Sequence, residues 1–236
     1  MTPAGEAALA MALRMDSVLE DLRFTFSNGT QANTAKLRIG AIESVIATHL
    51  PDVIAGFLRQ HPSVDVSIHS SSSATILKQI RDGDLDLGFV SRAPKIPNLR
   101  EVHAFTDELV IVAPPAVRSL SFLFSKEGAK LKVLVQRLGC SYTERMLNVL
   151  AESAPRPYRQ MELGTLEGIL GFVELGLGIA AMPRGFIRSL SIKRNLSLLE
   201  LPASVRKLKT YLVSPAAEDG RVVVNKFTQF CRDEIR

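Results

Sequence analysis

Four short segments of this 236-residue chain carry side chains able to hold a polar small molecule: Glu43-Ser44, Ser91-Arg92, Gly139-Cys140-Ser141 and Gly164-Thr165. The hydroxyls at Ser44, Ser91, Ser141 and Thr165 can donate and accept hydrogen bonds, and Arg92 offers a planar fork suited to an anionic group. Glu43 works against a carboxylate and favours an amino group, so the charge of a ligand stays open. Cys140 reads either as a thiol activated at a helix start or as a small buried residue. Taken singly, Ser44, Ser141 and Thr165 are ordinary helix N-caps and Arg92 is a solvated arginine. Taken together, with the four loops converging on one cleft, they make a polar small-molecule site.

Other chemistry finds little support. His49, His61, His69 and His103 show neither HExxH nor any other metal-ligand spacing, and no nucleophile elbow or phosphate-cradling loop occurs. Gly176 and Gly178 in ELGLGIAAMPRG precede a strand pattern, whereas a dinucleotide fingerprint follows one. No metal, no cofactor and no enzymatic activity are expected.

The segments take their meaning from the elements that must position them. Leu37, Ile39 and Ala41 alternate as a strand; Ile46, Leu50, Val53, Ile54, Phe57 and Leu58 then fall on one helical face. Pro51 fits that helix if it starts at 45–47, and otherwise marks a kink. Val64, Val66 and Ile68 alternate as a second strand with one covered face. The run Ser71-Ser72-Ser73 caps a helix carrying Ala74, Leu77 and Ile80, and Asp82-Gly83-Asp84 stops it. Leu85, Leu87, Phe89 and Val90 form a buried strand. Residues 37–91 thus read as strand, helix, strand, helix, strand, a unit whose parallel neighbours require right-handed crossovers. In such sheets ligands gather beyond the carboxyl ends of the strands, and that rule selects the four segments.

The same grammar recurs after an apolar strand at 108–113. Strands are expected at 132–136, 158–163 and 179–182, and helices at 142–150 and 165–175. The tail adds 196–201, a strand at 207–213 and a helix at 221–232. Either the chain returns to its first half or the tail extends the second sheet. A return gives an α/β architecture of two αβ subdomains joined by two crossover strands. Its boundaries would be 37–116 plus 204–236 for subdomain I and 117–203 for subdomain II.

Ahead of these, residues 1–28 read as one helix capped by Thr2, with a polar hinge at 29–36. Ala12, Met15, Leu19, Leu22 and Phe26 follow the spacing of a coiled-coil dimerisation seam. The alternative is an amphipathic helix lying on its own domain.

Composition places the chain among globular proteins: 46% of its residues are hydrophobic, enough for a core. The excess of 29 basic over 24 acidic residues is mild and scattered, which argues against a nucleic-acid footprint in these residues. Cys140 and Cys231 lack metal-ligand spacing and suit free thiols in a reducing compartment. No apolar run reaches membrane-spanning length, and no signal peptide is evident, so a soluble cytoplasmic protein is expected.

Several stretches, in order and spacing, resemble the regulatory part of LysR-type transcriptional regulators: LRIGAIESVIATHLPDVIAGFLRQHPSVDVSIH, DGDLDLGFVS, ELVIVAPP and GTLEGILGFVELGLGIAAMPRG, with TPAGEAALAMALRM resembling the start of the linker helix. The resemblance implies the type 2 periplasmic-binding-protein-like fold, with a small metabolite in the interdomain cleft, and it implies that the tail returns to the first half. It further implies self-association through the linker helix, as dimer or tetramer, and control of transcription through DNA. The family's winged helix-turn-helix would precede residue 1, so DNA is expected to be a partner only through that missing domain. Its effector contacts fall on Ser44, Ser91, Arg92, Cys140, Ser141 and Thr165. Ser71-Ser72-Ser73 departs from a glycine common in the family, and 117–132 is shorter than usual. A solute-binding protein of a transport system shares the fold, but the heptad helix and the lack of an export signal speak against it. Sedimentation at rising concentration is expected to show self-association; a strict monomer would remove the coiled-coil interpretation.

Overall fold

The computed structural model describes residues 35–91, 96–125, 127–137, 140–153, 158–190, 193–216 and 221–234, together with positions 2, 4, 5, 8, 11, 12, 15, 18 and 19. Arg92, Gly139, Leu22, Phe26 and the hinge from 29 to 34 lie outside the described residues. The chain divides into two units, Met1–Phe105 with Lys209–Arg236, and Thr106–Leu208.

The first unit begins with β1 (Ala35–Ala41), α1 (Glu43–Thr48), α2 (Leu50–Gln60), β2 (Val64–Ser70), α3 (Ser73–Asp82) and β3 (Leu87–Val90). β1 lies parallel to both β2 and β3, as βαβ crossovers require. One helix was expected where α1 and α2 stand. The chain breaks at His49, and Pro51 takes the first turn of the new helix α2, where its missing N–H costs nothing. At the end of α3, Gly83 adopts φ 84°, a left-handed conformation that glycine reaches without a Cβ clash. Two further expectations need correction. Ala74 is exposed, and α3 buries Ile76 together with Leu77 and Ile80. β2 buries only Val64 fully, because it is the outer strand of this set; Val66 is half-buried and Ile68 is 40% exposed.

β4 (Leu99–Ala113) is longer than the apolar 108–113 core suggested, and it carries the chain out of the first unit. The second unit holds the short helix α4 (Leu120–Leu123), β5 (Lys132–Val135), α5 (Ser141–Ser153), β6 (Gln160–Glu162), α6 (Leu166–Glu174), β7 (Gly178–Pro183), α7 (Arg184–Ser189), β8 (Ser197–Glu200) and α8 (Ala203–Arg206). β5 is parallel to β6 and to β7, while the second-unit part of β4 is antiparallel to β7 and β8.

β9 (Lys207–Pro215) and α9 (Val222–Glu234) then return the chain to the first unit. β9 pairs antiparallel with β3, in the register Gly88↔Val213, Phe89↔Leu212 and Val90↔Tyr211. Phe227 of α9 meets Phe57 edge-on, with ring centroids 5.0 Å apart, and meets Phe89 at 6.4 Å. All three rings are fully buried. Burying a side chain of this size is worth roughly 1.5–3 kcal/mol, so the tail is held on the first unit by its core. The chain is thus two αβ units joined by two crossover strands.

Beside that core, Asp86 is 5% exposed and bound by two arginines from distant elements. It accepts from the backbone N–H of Arg38 at 2.7 Å, from Arg38 Nη2 at 2.8 Å and from Arg221 Nη1 at 3.1 Å. The bonds offset the cost of burying the carboxylate and tie β1, the approach to β3 and the start of α9 together.

In the N-terminal segment, Gly5 N–H donates to Thr2 Oγ1 at 3.2 Å, the expected cap. Ala12, Met15 and Leu19 are helical there, and Met15 and Leu19 are 69% and 50% exposed.

Sheet and helix α3 approach closely at glycine. A Cβ on Gly88 would stand 2.3 Å from Ile76 Cγ2. Gly88→Ala is therefore expected to lose about 1–3 kcal/mol through overpacking. Gly171→Ala, in α6 where an added Cβ meets nothing within 4 Å, is expected to gain about 0.5–1 kcal/mol. Urea denaturation of the two variants separates these signs.

Candidate functional site

In the first unit, the carboxyl ends of β1, β2 and β3 are laced together by backbone bonds. Ile42 N–H donates to Phe89 O at 3.4 Å, and Ser71 N–H donates to Ala41 O at 3.2 Å. Glu43 is the first residue of α1 and is half-buried; Ser44 follows it and is 4% exposed. Ser44 is not an N-cap, because Ile42 holds that position and no side chain caps the helix. The Ser44 carbonyl accepts from Thr48 Oγ1 at 2.7 Å, which fixes the short helix internally.

Ser91 leaves β3 and meets the serine run. Its N–H donates to Ser73 Oγ at 3.2 Å, and the two hydroxyls also stand 3.2 Å apart. Ser72 caps α3, accepting from Thr75 N–H at 3.2 Å. Ser73 is not among the expected site residues, because in the sequence the run reads only as a cap. The strand-end rule, applied after β2 as well as after β1 and β3, would have found it.

In the second unit, β5 and β6 end side by side. Leu163 N–H donates to Val135 O at 3.0 Å and Gly164 N–H to Gln136 O at 3.1 Å, while Gln136 Nε2 reaches Gly164 O at 3.4 Å. Gln136 is thus a further polar residue of this end, recognisable as the first residue after β5. Gly164 turns with φ 75°, and no atom lies within 4 Å of where its Cβ would be, so this corner is open. Thr165 is exposed and caps α6, its Oγ1 accepting from Gly168 N–H at 3.1 Å. The expected cap is real, and it leaves the hydroxyl proton available for other use. At the start of α5, Cys140 O accepts from Glu144 N–H at 3.0 Å, so Cys140 stands at the cap position and Ser141 opens the helix; both are half-buried.

The two sets are each assembled within their own unit: Glu43, Ser44 and Ser91 in the first, Cys140, Ser141, Gly164 and Thr165 in the second. Neither resembles a catalytic centre. Among the described residues, no group of three or more His, Cys, Asp or Glu side chains could hold a metal ion, and no helix is long and apolar enough to cross a membrane.

Comparison with known proteins decides the family. The model of the LysR substrate binding domain matches residues 30–236. The chain belongs to the LysR family of transcriptional regulators. It is 31% identical over 208 residues to the HTH-type transcriptional regulator YofA of Bacillus velezensis, covering 88% of this chain and 70% of that protein. For YofA of Bacillus subtilis the identity is 29% over 218 residues, covering 90% and 72%. Among solved structures, the BenM effector binding domain with its effector benzoate superposes with a TM-score of 0.66 at 18% identity, covering 84% of this chain and 90% of that one. The regulatory domain of Synechocystis PCC6803 CcmR in complex with 2-PG gives 0.69 at 18% identity, covering 85% and 97%. Full-length CbnR complexed with its target DNA gives 0.72 at 14%, covering 98% and 79%. These likenesses are of fold, the type 2 periplasmic-binding-protein-like fold of LysR effector-binding domains. The family is one of effector-sensing regulators, not enzymes, and a transport role is not favoured.

Both cysteines are free thiols. Burial in α9 pushes the Cys231 thiol up to about 12, so at neutral pH it holds almost no thiolate, the form that reacts. A neutral-pH thiol reagent is expected to modify half-buried Cys140 in the folded protein and Cys231 only after unfolding; mass spectrometry of the labelled peptides checks the order.

Proposed function

We propose that the strand ends of each unit supply part of the contacts to one small polar metabolite, through Glu43, Ser44, Ser91 and Arg92 from the first and Cys140, Ser141, Gly164 and Thr165 from the second. The observation that carries this is the hydroxyl pair Ser91 and Ser73, where three parallel strands end together. BenM and CcmR, regulators of the same fold, are described with benzoate and 2-PG respectively. Arg92 suits an anionic group on the ligand and Glu43 a cationic one, so a zwitterionic metabolite satisfies both.

The effector acts by population shift. It changes the balance of conformations only to the extent that it binds one more tightly than the other. The N-terminal segment, whose seam candidates are Ala12, Met15, Leu19, Leu22 and Phe26, pairs subunits as a homo-oligomer, and the change is passed to DNA by the regulator as a whole. A cytoplasmic site of action follows from that role.

Thermal shift against a metabolite panel tests the contacts. An effector present at 100 times its dissociation constant adds about 2.7 kcal/mol of stability. Ser44→Ala with Thr165→Ala is expected to abolish that gain. Removing the Thr165 cap alone lowers basal stability by about 1 kcal/mol, so the readout is the ligand-induced shift, with Thr165→Ser as the variant that keeps cap and hydroxyl. An unchanged shift in the double variant would move the site elsewhere.

A further inference from the structure

Helix α5 opens at Ser141, directly after Cys140, and buries Tyr142, Met146, Val149 and Leu150 in the second unit. Arg145 stands one turn after Ser141 and is half-buried. Its Nη1 donates to two main-chain carbonyls, Lys207 O at 2.9 Å and Val205 O at 3.4 Å. That nitrogen carries two hydrogens, so one atom serves both bonds. Because both acceptors belong to the main chain, the contact fixes the path of the backbone, whatever side chains stand there. Its place in the fold matters more than its strength. Lys207 opens β9, and the chain passes from the second unit to the first between Leu208 and Lys209. Arg206, between the two carbonyls in sequence, reaches Glu108 on β4 at 3.4 Å, two residues after that strand enters the second unit at Thr106. One side chain therefore joins the first turn of α5 to the return strand and, through its neighbour Arg206, to the incoming one.

We propose that Arg145 is a positioning residue, carrying a displacement of the start of α5 to the segment where the chain leaves the second unit. Hydrogen bonds from a charged donor are roughly twice as strong as neutral ones, so this link follows the helix before weaker contacts do. An effector that touches Cys140 or Ser141 thereby acts on the crossing strands. The proposal rests on those two residues being effector contacts, but its test needs no effector, so the two can fail separately.

Half-buried Cys140 supplies the probe, since iodoacetamide can attach a small amide group there while Cys231 stays buried. Hydrogen exchange of the full chain, read by mass spectrometry over 205–208, is compared with and without this modification. In the unsubstituted protein, alkylation is expected to change exchange over 205–208 by about threefold or more. In Arg145→Gln the same amides are expected to exchange about tenfold faster from the outset, and alkylation no longer alters them. Arg145→Lys, which keeps a charged donor without the planar fork, retains part of the response. A side chain that merely staples the loop would give the faster baseline in Arg145→Gln with no response to alkylation in any form of the protein. Unchanged exchange in β5 and β6 reports that the variants fold. The proposal is overturned if alkylation leaves 205–208 unchanged in the unsubstituted protein, or if Arg145→Gln responds as strongly as it does. The ligand-induced thermal shift of the double variant above is scored apart from this result, so failure of the coupling leaves the effector contacts standing.

Discussion

Phe227, packed edge-on against Phe57 and Phe89, is the contact on which the rest of the architecture depends. It joins a ring near the C-terminus to rings from α2 and β3 in one dry core. Without it, β9 and α9 would be free to extend the second sheet. With it, β9 completes the first sheet antiparallel to β3, and the chain must cross between units twice. Everything polar at the strand ends is built on frames that this return closes.

The frames differ in the ion pairs that hold them. On the first unit, Asp86 binds Arg38 and Arg221 in a largely buried triad whose removal would leave charge without compensation. On the second, Arg184 and Arg206 both pair with Glu108 and Glu200, linking the early second-unit part of β4 to β8 and α8. Glu200 first and Glu108 after it hold the Arg184 guanidinium more firmly in its charged form. Asp107 accepts from Gly185 N–H at 3.1 Å, and an added Cβ on Gly185 would stand 2.4 Å from that carboxylate. Glu108 on β4 and Arg206, just before β9, set this second network close to where the chain changes unit. The second network is more exposed, so water and salt weaken it more than the buried triad.

A regulator of this kind needs rigid frames and a polar site whose occupancy changes their balance. The rigid part is supplied by apolar parallel strands and glycine-permitted helix contacts such as Gly88 under Ile76. The polar part is supplied by short loops where hydroxyls and backbone groups already bind one another, as in Ser73 with Ser91 and Gln136 with Gly164. Such groups lose little order when a ligand joins them, which favours affinity.

Local physics made much of this legible in the sequence. Alternation and helical spacing gave the order of elements, and Ser72, Gly83 and Thr165 marked helix ends because capping involves residues only three or four apart. Strand-end loops gave Ser44, Ser91, Ser141 and Thr165 as polar positions. What the sequence alone left open were interactions between distant residues. Asp86 meets Arg38 and Arg221, which lie 48 and 135 residues away. Ser73 turned from a helix residue into the partner of Ser91 only when β1 placed α3 beside the end of β3. Ala74 was left outside and Ile76 taken in because the packing direction of α3 against Gly40 and Gly88, not its own periodicity, chose the buried face. Periodicity determines that a face exists; the partner that covers it, and therefore which polar groups are brought together at its edge, is decided by tertiary packing.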